Sequence, residues 1–161
     1  MDQQKKIGYA YVFVQLALVL LIVVLPHRTD WPGGTLVTVA SWAIFLTGIA
    51  IMGVGALGLG TGLTAHPVPN GRTELKTTGL YAFVRHPIYL GVLTTMLGVT
   101  IRTRSFIALG AYIALSVLLH FKANWEEQRL REHFSDYDEY ASKVGRLIPG
   151  IDKAKPADPY S

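Results

Sequence analysis

Arg85, His86 and Tyr89 stand close together at the start of an apolar run, with Pro87 between them. Proline suits the first turn of a helix, where its missing N–H leaves no hydrogen bond unmade. Arg85 and His86 would then lie beside free backbone N–H groups at the positive end of the helix dipole, which attracts anions. An isolated Arg-His pair is more often a lipid-headgroup anchor, but the ordered residues around this pair favour a ligand site. Those residues are Gly79, Tyr81, Pro87, Tyr89 and Gly91.

Two adjacent carboxylates, Glu126 and Glu127, follow the last apolar run of the chain. Carboxylates at that point are well placed to hold an ammonium group or another cation. The plain alternative is pairing on a helix surface, with Glu127 facing Arg131 at i+4, which contributes about 0.2–0.5 kcal/mol. The pair is therefore a second candidate ligand site, and its meaning depends on what lies opposite.

Four apolar runs must position these segments, because half of the chain is hydrophobic and only 16% is charged. The predicted helices cover 7–25, 35–60, 86–101 and 105–121, followed by a cytosolic tail 122–150 and a flexible end 151–161. A bilayer core ~30 Å thick needs ~20 helical residues, so the first two runs are predicted to span. The first lacks a cleavage site and is too long for a signal peptide. The last two are shorter and are predicted to form a tight hairpin, with a re-entrant pair as the alternative.

The second run is rich in glycine, and Gly58, Gly60 and Gly62 form a short Gly-x-Gly-x-Gly stretch. No strand is predicted before it, so a Rossmann phosphate loop is disfavoured. Small residues instead let membrane helices approach one another closely. The run could serve a homodimer as well as a contact within the chain.

Basic residues are distributed unevenly about the predicted spans. With four crossings, all but three of the 15 lysines and arginines fall on the side of both termini. The three on the other side are Arg28, Arg102 and Arg104. The positive-inside rule then places both termini in the cytosol of a bacterial inner membrane or an endoplasmic-reticulum-type membrane. This bias explains the net charge of +4 without a nucleic-acid partner, and the absence of cysteine removes thiolate metal sites.

The two polar segments together resemble the isoprenylcysteine carboxyl methyltransferase and phospholipid methyltransferase superfamily. The resemblance covers roughly residues 60–150. It rests on Thr78-Gly79-Leu80-Tyr81, Arg85-His86-Pro87-Ile88-Tyr89-Leu90-Gly91, Glu126-Glu127, Tyr137, Tyr140 and Arg146-Leu147-Ile148-Pro149. It implies an all-α, single-domain membrane bundle of about four transmembrane helices, with cytosolic C-terminal helices folded over the site.

The resemblance also implies that S-adenosylmethionine binds between the cytosolic end of the hairpin and the folded-back tail. The residues it assigns to this cofactor are Gly79, Tyr81, His86, Pro87, Tyr89, Glu127 and Leu147. Those it assigns to catalysis or the acceptor are Arg85, Glu126, Glu127 and Arg146, with Arg129 as an alternative to Arg146. In this assignment His86 and Tyr89 hold the methionine carboxylate, and the acidic pair lies near the amino group or the acceptor.

The expected reaction is methyl transfer to a lipophilic acceptor that enters from the bilayer, foremost a carboxylate of the isoprenylcysteine type. A phospholipid amine is the alternative acceptor. A membrane reductase that uses NADPH shares the Arg-His-Pro-x-Tyr motif, but such enzymes typically carry asparagine where this chain has Ile88. A transporter or scaffold is disfavoured because the four runs contain almost no ionisable residue.

Overall fold

The computed structural model describes residues 3–59 and 75–154. Five α-helices run through this part of the chain: α1 Gln3–Val24, α2 Thr35–Leu59, α3 Pro87–Thr103, α4 Phe106–His133 and α5 Tyr137–Lys143. A 3₁₀ turn, Gly79–Ala82, precedes α3. The described residues contain no β-strand, only an isolated parallel bridge between Val84 and Gly145. The chain is a helical membrane bundle, as predicted.

Three of the helices, α1, α2 and α4, are long and apolar enough to cross a membrane. They carry large apolar side chains that face outward, such as Phe13 (75% exposed), Leu36 (81%) and Leu57 (83%). Outward apolar side chains cost nothing in lipid, because the hydrocarbon is as apolar as they are. The shorter α3 has 17 residues and contributes many buried ones, and its full crossing of the hydrocarbon stays a prediction.

Helices α2 and α3 are in close contact along a seam of small residues. A Cβ atom added at Gly48 would lie 2.3 Å from the backbone nitrogen of Thr95, and one at Gly91 would lie 2.6 Å from that of Met52. At Gly98 the nearest atoms would be backbone atoms of Phe45 and Ser41, at 2.7 Å. The predicted close packing of the second helix is thus a contact within the chain. Gly60 and Gly62 lie outside the described residues.

The predicted hairpin of α3 and α4 is confirmed, with its turn at Arg104 and Ser105. Arg104 adopts the left-handed conformation (φ 51°) after the last residue of α3. Ser105 caps α4, and its hydroxyl accepts hydrogen bonds from the backbone nitrogens of Ile107 and Ala108. The carboxylate of Asp30 accepts from the backbone nitrogen of Phe106 at 2.8 Å, which ties the α1–α2 connection to this turn.

Helix α4 extends beyond the apolar run that predicted it. The run ends at 121, whereas the helix continues to His133. The added residues contain no glycine or proline and include many good helix formers. Glu126 and Glu127 therefore project from the same rigid helix that packs in the bundle, rather than from a separate surface helix. The chain then turns back through α5 toward the start of α3.

Candidate functional site

The C-terminal tail lies along the segment that leads into α3. The backbone nitrogen of Arg85 donates to the carbonyl of Gly145 at 2.9 Å, and that of His86 donates to Arg146 at 3.1 Å. Gly145 is needed here because a Cβ atom would lie 2.2 Å from the carbonyl oxygen of Ile148. Two segments far apart in sequence are thus joined at the predicted site, and Pro87 begins α3 as expected.

Arg85 is buried (5% exposed), and its guanidinium is fully hydrogen-bonded. It donates to both carboxylate oxygens of Glu127, at 3.0 and 3.3 Å, and to the backbone carbonyls of Ala141, Val144 and Asp152. These five bonds equal the number of N–H groups in a guanidinium. Arg85 therefore fastens the tail to α4, and in this arrangement it has no donor left for the anion that the sequence suggested.

Glu127 is the centre of this network and is completely buried (0% exposed). Its carboxylate receives a bidentate pair of hydrogen bonds from Arg146, both 3.0 Å, in addition to those from Arg85. The Nε2 atom of His86 lies 3.2 Å from the same carboxylate, and Arg131 lies at 4.0 Å. Such charge-assisted bonds are the strong ones in proteins, so Glu127 holds three segments of the chain together.

Arg146 joins the network from the tail. Burial alone would lower its pKa, but the hydrogen bonds and negative charge of Glu127 outweigh burial and raise the pKa. A second carboxylate, that of Asp152, lies 3.3 Å from Nη1 of Arg146. Arg146 is thus a fixed cation, and the neighbouring Leu147 is half-buried.

Glu126 has a different environment from its neighbour. Its carboxylate accepts a hydrogen bond of 2.5 Å from the hydroxyl of Tyr89, and Nδ1 of His86 lies 3.8 Å from its other oxygen. The imidazole of His86 stacks on the ring of Tyr89, with centroids 5.3 Å apart and an angle of 4°. His86 therefore lies between the two carboxylates, with one ring nitrogen toward each. Glu126 is 13% exposed, so it is the partly accessible member of the pair.

The 3₁₀ turn before α3 is connected to both ends of the site. The hydroxyl of Tyr81 donates to the carbonyl of Gly55 in α2 at 3.3 Å, and Tyr140 donates to the carbonyl of Tyr81 at 2.6 Å. Burial raises the pKa of Tyr81 to about 12 and likewise raises the pKa of Tyr140. Both phenols are therefore neutral hydrogen-bond donors near neutral pH. Gly79 has φ +65°, which a side chain would strain.

Most of the predicted site residues are brought together. One network contains six of them: Arg85, His86, Tyr89, Glu126, Glu127 and Arg146. Gly79, Tyr81 and Leu147 lie on adjoining segments. Arg129 is apart from the network: it stacks on Trp125 at 3.4 Å and donates to Gln4 of α1. The individual roles assigned to all these residues stay predictions.

Sequence reasoning did not single out Lys122 as a site residue, nor Asp152, which contacts Arg85 and Arg146. Lys122 is 7% exposed, and its ammonium donates to Gln15 of α1 at 3.0 Å and lies 5.0 Å from the ring centroid of Tyr89. The sequence interpretation counted Lys122 only as one of the cytosolic cations. Its signal was its spacing, because it lies one helical turn before Glu126 on α4.

Comparison with known proteins identifies the family. The chain matches the phospholipid methyltransferase family over residues 36–137. It is 28% identical over 148 residues to the nickel-cobalt-cadmium resistance protein NccN of Alcaligenes xylosoxydans xylosoxydans, covering 91% of this chain and 65% of that protein. It is 33% identical over 120 residues to methanethiol S-methyltransferase 1 of Bradyrhizobium diazoefficiens, covering 71% of this chain and 41% of that protein.

This chain thus spans less than two thirds of the length of either of these relatives. The family match nevertheless covers more than half of the chain. It includes both segments that carry the candidate site, from the 3₁₀ turn through Glu126 and Glu127, although Arg146 lies beyond it. The chain belongs to the phospholipid methyltransferase family.

Proposed function

We propose that this protein transfers the methyl group of S-adenosylmethionine to a lipophilic acceptor that reaches the site from the bilayer. The observation that carries the proposal is the pair formed by Tyr89 and Glu126, stacked against His86 at the start of α3. This group lies where the apolar helices meet the polar tail, so a water-soluble donor and a lipophilic acceptor can meet there. The excess of lysine and arginine on the side of the termini supports a site that opens to the cytosol.

The residues present fit a positively charged donor. Within residues 3–59 and 75–154, Arg85 and Arg146 pair with Glu127 and not with Glu126. The carboxylate of Glu126 is therefore available to attract the ammonium or the sulfonium of the cofactor. His86 and the hydroxyl of Tyr89 would fix the amino-acid portion, and the segment from Gly79 to Tyr81 with Leu147 would enclose the adenosine.

When bound, S-adenosylmethionine supplies a methyl group already activated by the positive sulfur. The chain's own residues have to bind, orient and exclude water, because alignment of the reacting atoms provides most of the effect. Glu127 does not contact the ligand itself; it holds His86 from one side and fixes the tail through Arg85 and Arg146. We assign Arg85, Glu127 and Arg146 to positioning. Glu126, Tyr89 and His86 are assigned to ligand contact.

The acceptor is proposed to carry an acidic group. Our sequence interpretation favours a carboxylate of the isoprenylcysteine type, and the similarity to a methanethiol S-methyltransferase adds a thiol. The family description, phospholipid methyltransferase, points to a lipid acceptor as the alternative. NADPH-dependent reduction is a further alternative that the same experiment tests.

Titration calorimetry of the purified protein in detergent tests the proposal, with S-adenosylhomocysteine and NADPH as probes. We expect micromolar binding of S-adenosylhomocysteine, weakened at least tenfold by Glu126→Gln. The matched control is Glu139→Gln, which changes an exposed carboxylate that pairs with Lys143; this variant should bind as the wild type does. Binding of NADPH, with none of the homocysteine nucleoside, would overturn the proposal in favour of a reductase.

A further inference from the structure

Lys122 places a positive charge inside the helical bundle. Its side chain is almost completely buried between three helices: Gln15 of α1 accepts from its ammonium, and the ring of Tyr89 of α3 lies beneath it. Gln15 is itself the one strongly polar side chain in the apolar run of α1. A buried cation is costly to hold in a protein, and buried ionisable residues in membrane proteins tend to mark substrate pathways.

Unlike the arginines near the site, Lys122 has no hydrogen-bonded carboxylate partner among the described residues. Arg85 and Arg146 each form two hydrogen bonds with Glu127, and Arg146 also lies 3.3 Å from the carboxylate of Asp152, so both arginines have carboxylate partners within the protein. Among the described residues, the direct contacts of the Lys122 ammonium are the neutral amide of Gln15 and the face of Tyr89, while the carboxylate of Glu126 attracts it without forming an ion pair within 4.0 Å. The one hydrogen bond to Gln15 uses one of its three N–H groups, and the others can donate to a ligand.

Tyr89 connects this cation to the opposite charge. Its ring lies under Lys122, while its hydroxyl donates to Glu126. Lys122 and Glu126 lie on the same face of α4, one turn apart. The site therefore offers a carboxylate and an ammonium on the two sides of one tyrosine. A cationic donor and an anionic acceptor would each find a complementary charge there.

We propose that Lys122 binds the methyl acceptor as an anion, a thiolate or a carboxylate, and so selects acidic acceptors over amines. This inference rests on the proposed function, for which it names the residue that selects an acidic acceptor. An alkylamine is a cation near neutral pH, so the ammonium of Lys122 repels it. The lone pair of the amine nitrogen also carries a proton and cannot attack the methyl group. The ammonium of Lys122 lowers the free energy of an ionised thiol or carboxylic acid by direct charge attraction.

The chemical step balances without a further reactant. A thiol acceptor loses its proton to water on binding, and a carboxylic acid is already ionised near neutral pH. The acceptor sulfur or oxygen then forms a bond to the methyl carbon as the bond from that carbon to the donor sulfur breaks. The donor sulfur keeps the electron pair of the broken bond and becomes a neutral thioether. Lys122 keeps its proton throughout.

Binding of two probes of equal length and opposite charge tests the inference without turnover. Octanoate and octylammonium are titrated into the protein in phosphatidylcholine nanodiscs, with and without S-adenosylhomocysteine. We expect octanoate to bind at least tenfold more tightly than octylammonium to the wild type. Lys122→Gln, which keeps a hydrogen-bonding partner for Gln15, should weaken octanoate at least tenfold. Lys143→Gln, at an exposed lysine, should leave both probes unchanged.

Turnover then identifies which anion is used. Octanethiol, octanoate and octylamine are offered with radiolabelled S-adenosylmethionine, and methylated product is counted. We expect Lys122→Gln to lower kcat/KM for the acidic acceptor at least tenfold while S-adenosylhomocysteine affinity stays within twofold. Preferred methylation of octylamine, or equal octanoate binding by the wild type and Lys122→Gln, overturns the inference.

Failure of the inference and of the proposed function are distinguishable. Loss of the function shows as absent binding of S-adenosylhomocysteine to the wild type, whereas loss of the inference shows only in the acceptor probes. If Lys122→Gln does not fold, competition in the wild type decides: octanoate must inhibit thiol methylation and octylammonium must not. Inhibition by octylammonium alone contradicts the role of Lys122.

Discussion

Replacing Glu127 by glutamine separates positioning from ligand contact at the candidate site. The carboxylate is completely buried and receives two hydrogen bonds each from Arg85 and Arg146. An amide of the same size keeps one acceptor oxygen but presents an NH₂ group to a guanidinium that can only donate. It also removes the charge that balances both arginines.

The expected destabilisation is large because both charges stay buried without their partner. Removing one partner of a buried ion pair costs about 3–5 kcal/mol. Glu126→Gln is the matched control. Its new amide oxygen can still accept from Tyr89, so we expect a loss of stability of about 1 kcal/mol or less. Thermal unfolding of both variants, followed by circular dichroism in one detergent, gives the comparison.

The loss of Glu127 should affect the C-terminal tail first. Arg85 holds the carbonyls of Ala141, Val144 and Asp152 while Glu127 holds Arg85. In Glu127→Gln the tail should detach before the helices melt, and trypsin should cut at Lys143 or Arg146 in the folded protein. A Glu127→Gln variant that is as stable and as protease-resistant as Glu126→Gln would contradict this role of Glu127. Loss of cofactor affinity with no loss of stability would contradict it as well.

Three further outcomes follow from the packing. Gly98→Val should destabilise the bundle by about 1–3 kcal/mol, because backbone atoms of α2 lie 2.7 Å from the added Cβ atom. Gly110→Ala, with nothing within 4 Å, is the control in the same melting assay. Tyr140→Phe should cost about 1 kcal/mol through the lost bond to Tyr81, and a loss below measurement error would contradict that bond's role. Burial raises the pKa of Tyr81 from 10.0 to about 12, so the unfolded chain releases the proton of the Tyr81 hydroxyl at lower pH than the folded protein does. The free energy of unfolding should therefore fall between pH 10 and 12, and Tyr81→Phe should flatten this dependence on pH.

The sequence predicted the order of the four apolar helices, because hydropathy reports contact with lipid. It predicted the end of the fourth helix less well for the same reason. The polar residues from Lys122 onward are good helix formers, so α4 continues to His133 although its apolar run stops earlier. Hydropathy marks where a side chain can face hydrocarbon, whereas hydrogen bonding and propensity decide where a helix stops.

The close seam between α2 and α3 was predictable only in part. The glycines of the second helix indicated close packing, but not which helix would fill the space. The partner glycines, Gly91 and Gly98, are spaced seven residues apart along α3, which places them on one face. Each meets the backbone of α2 directly, so the seam needs small residues on both helices.

The different surroundings of Glu126 and Glu127 could not be predicted from the sequence. Successive helical residues point about 100° apart, so the two carboxylates had to face different surroundings. Which of them met the arginines depended on the return of the tail, since Arg146 is 19 residues further along the chain. Once the tail is in place, Glu127 is balanced by Arg85 and Arg146, and Glu126 is left with Tyr89. The motif therefore indicated residues that the fold brings together, while only the fold distinguishes the carboxylate that Arg85 and Arg146 hold from the one that we propose meets a ligand.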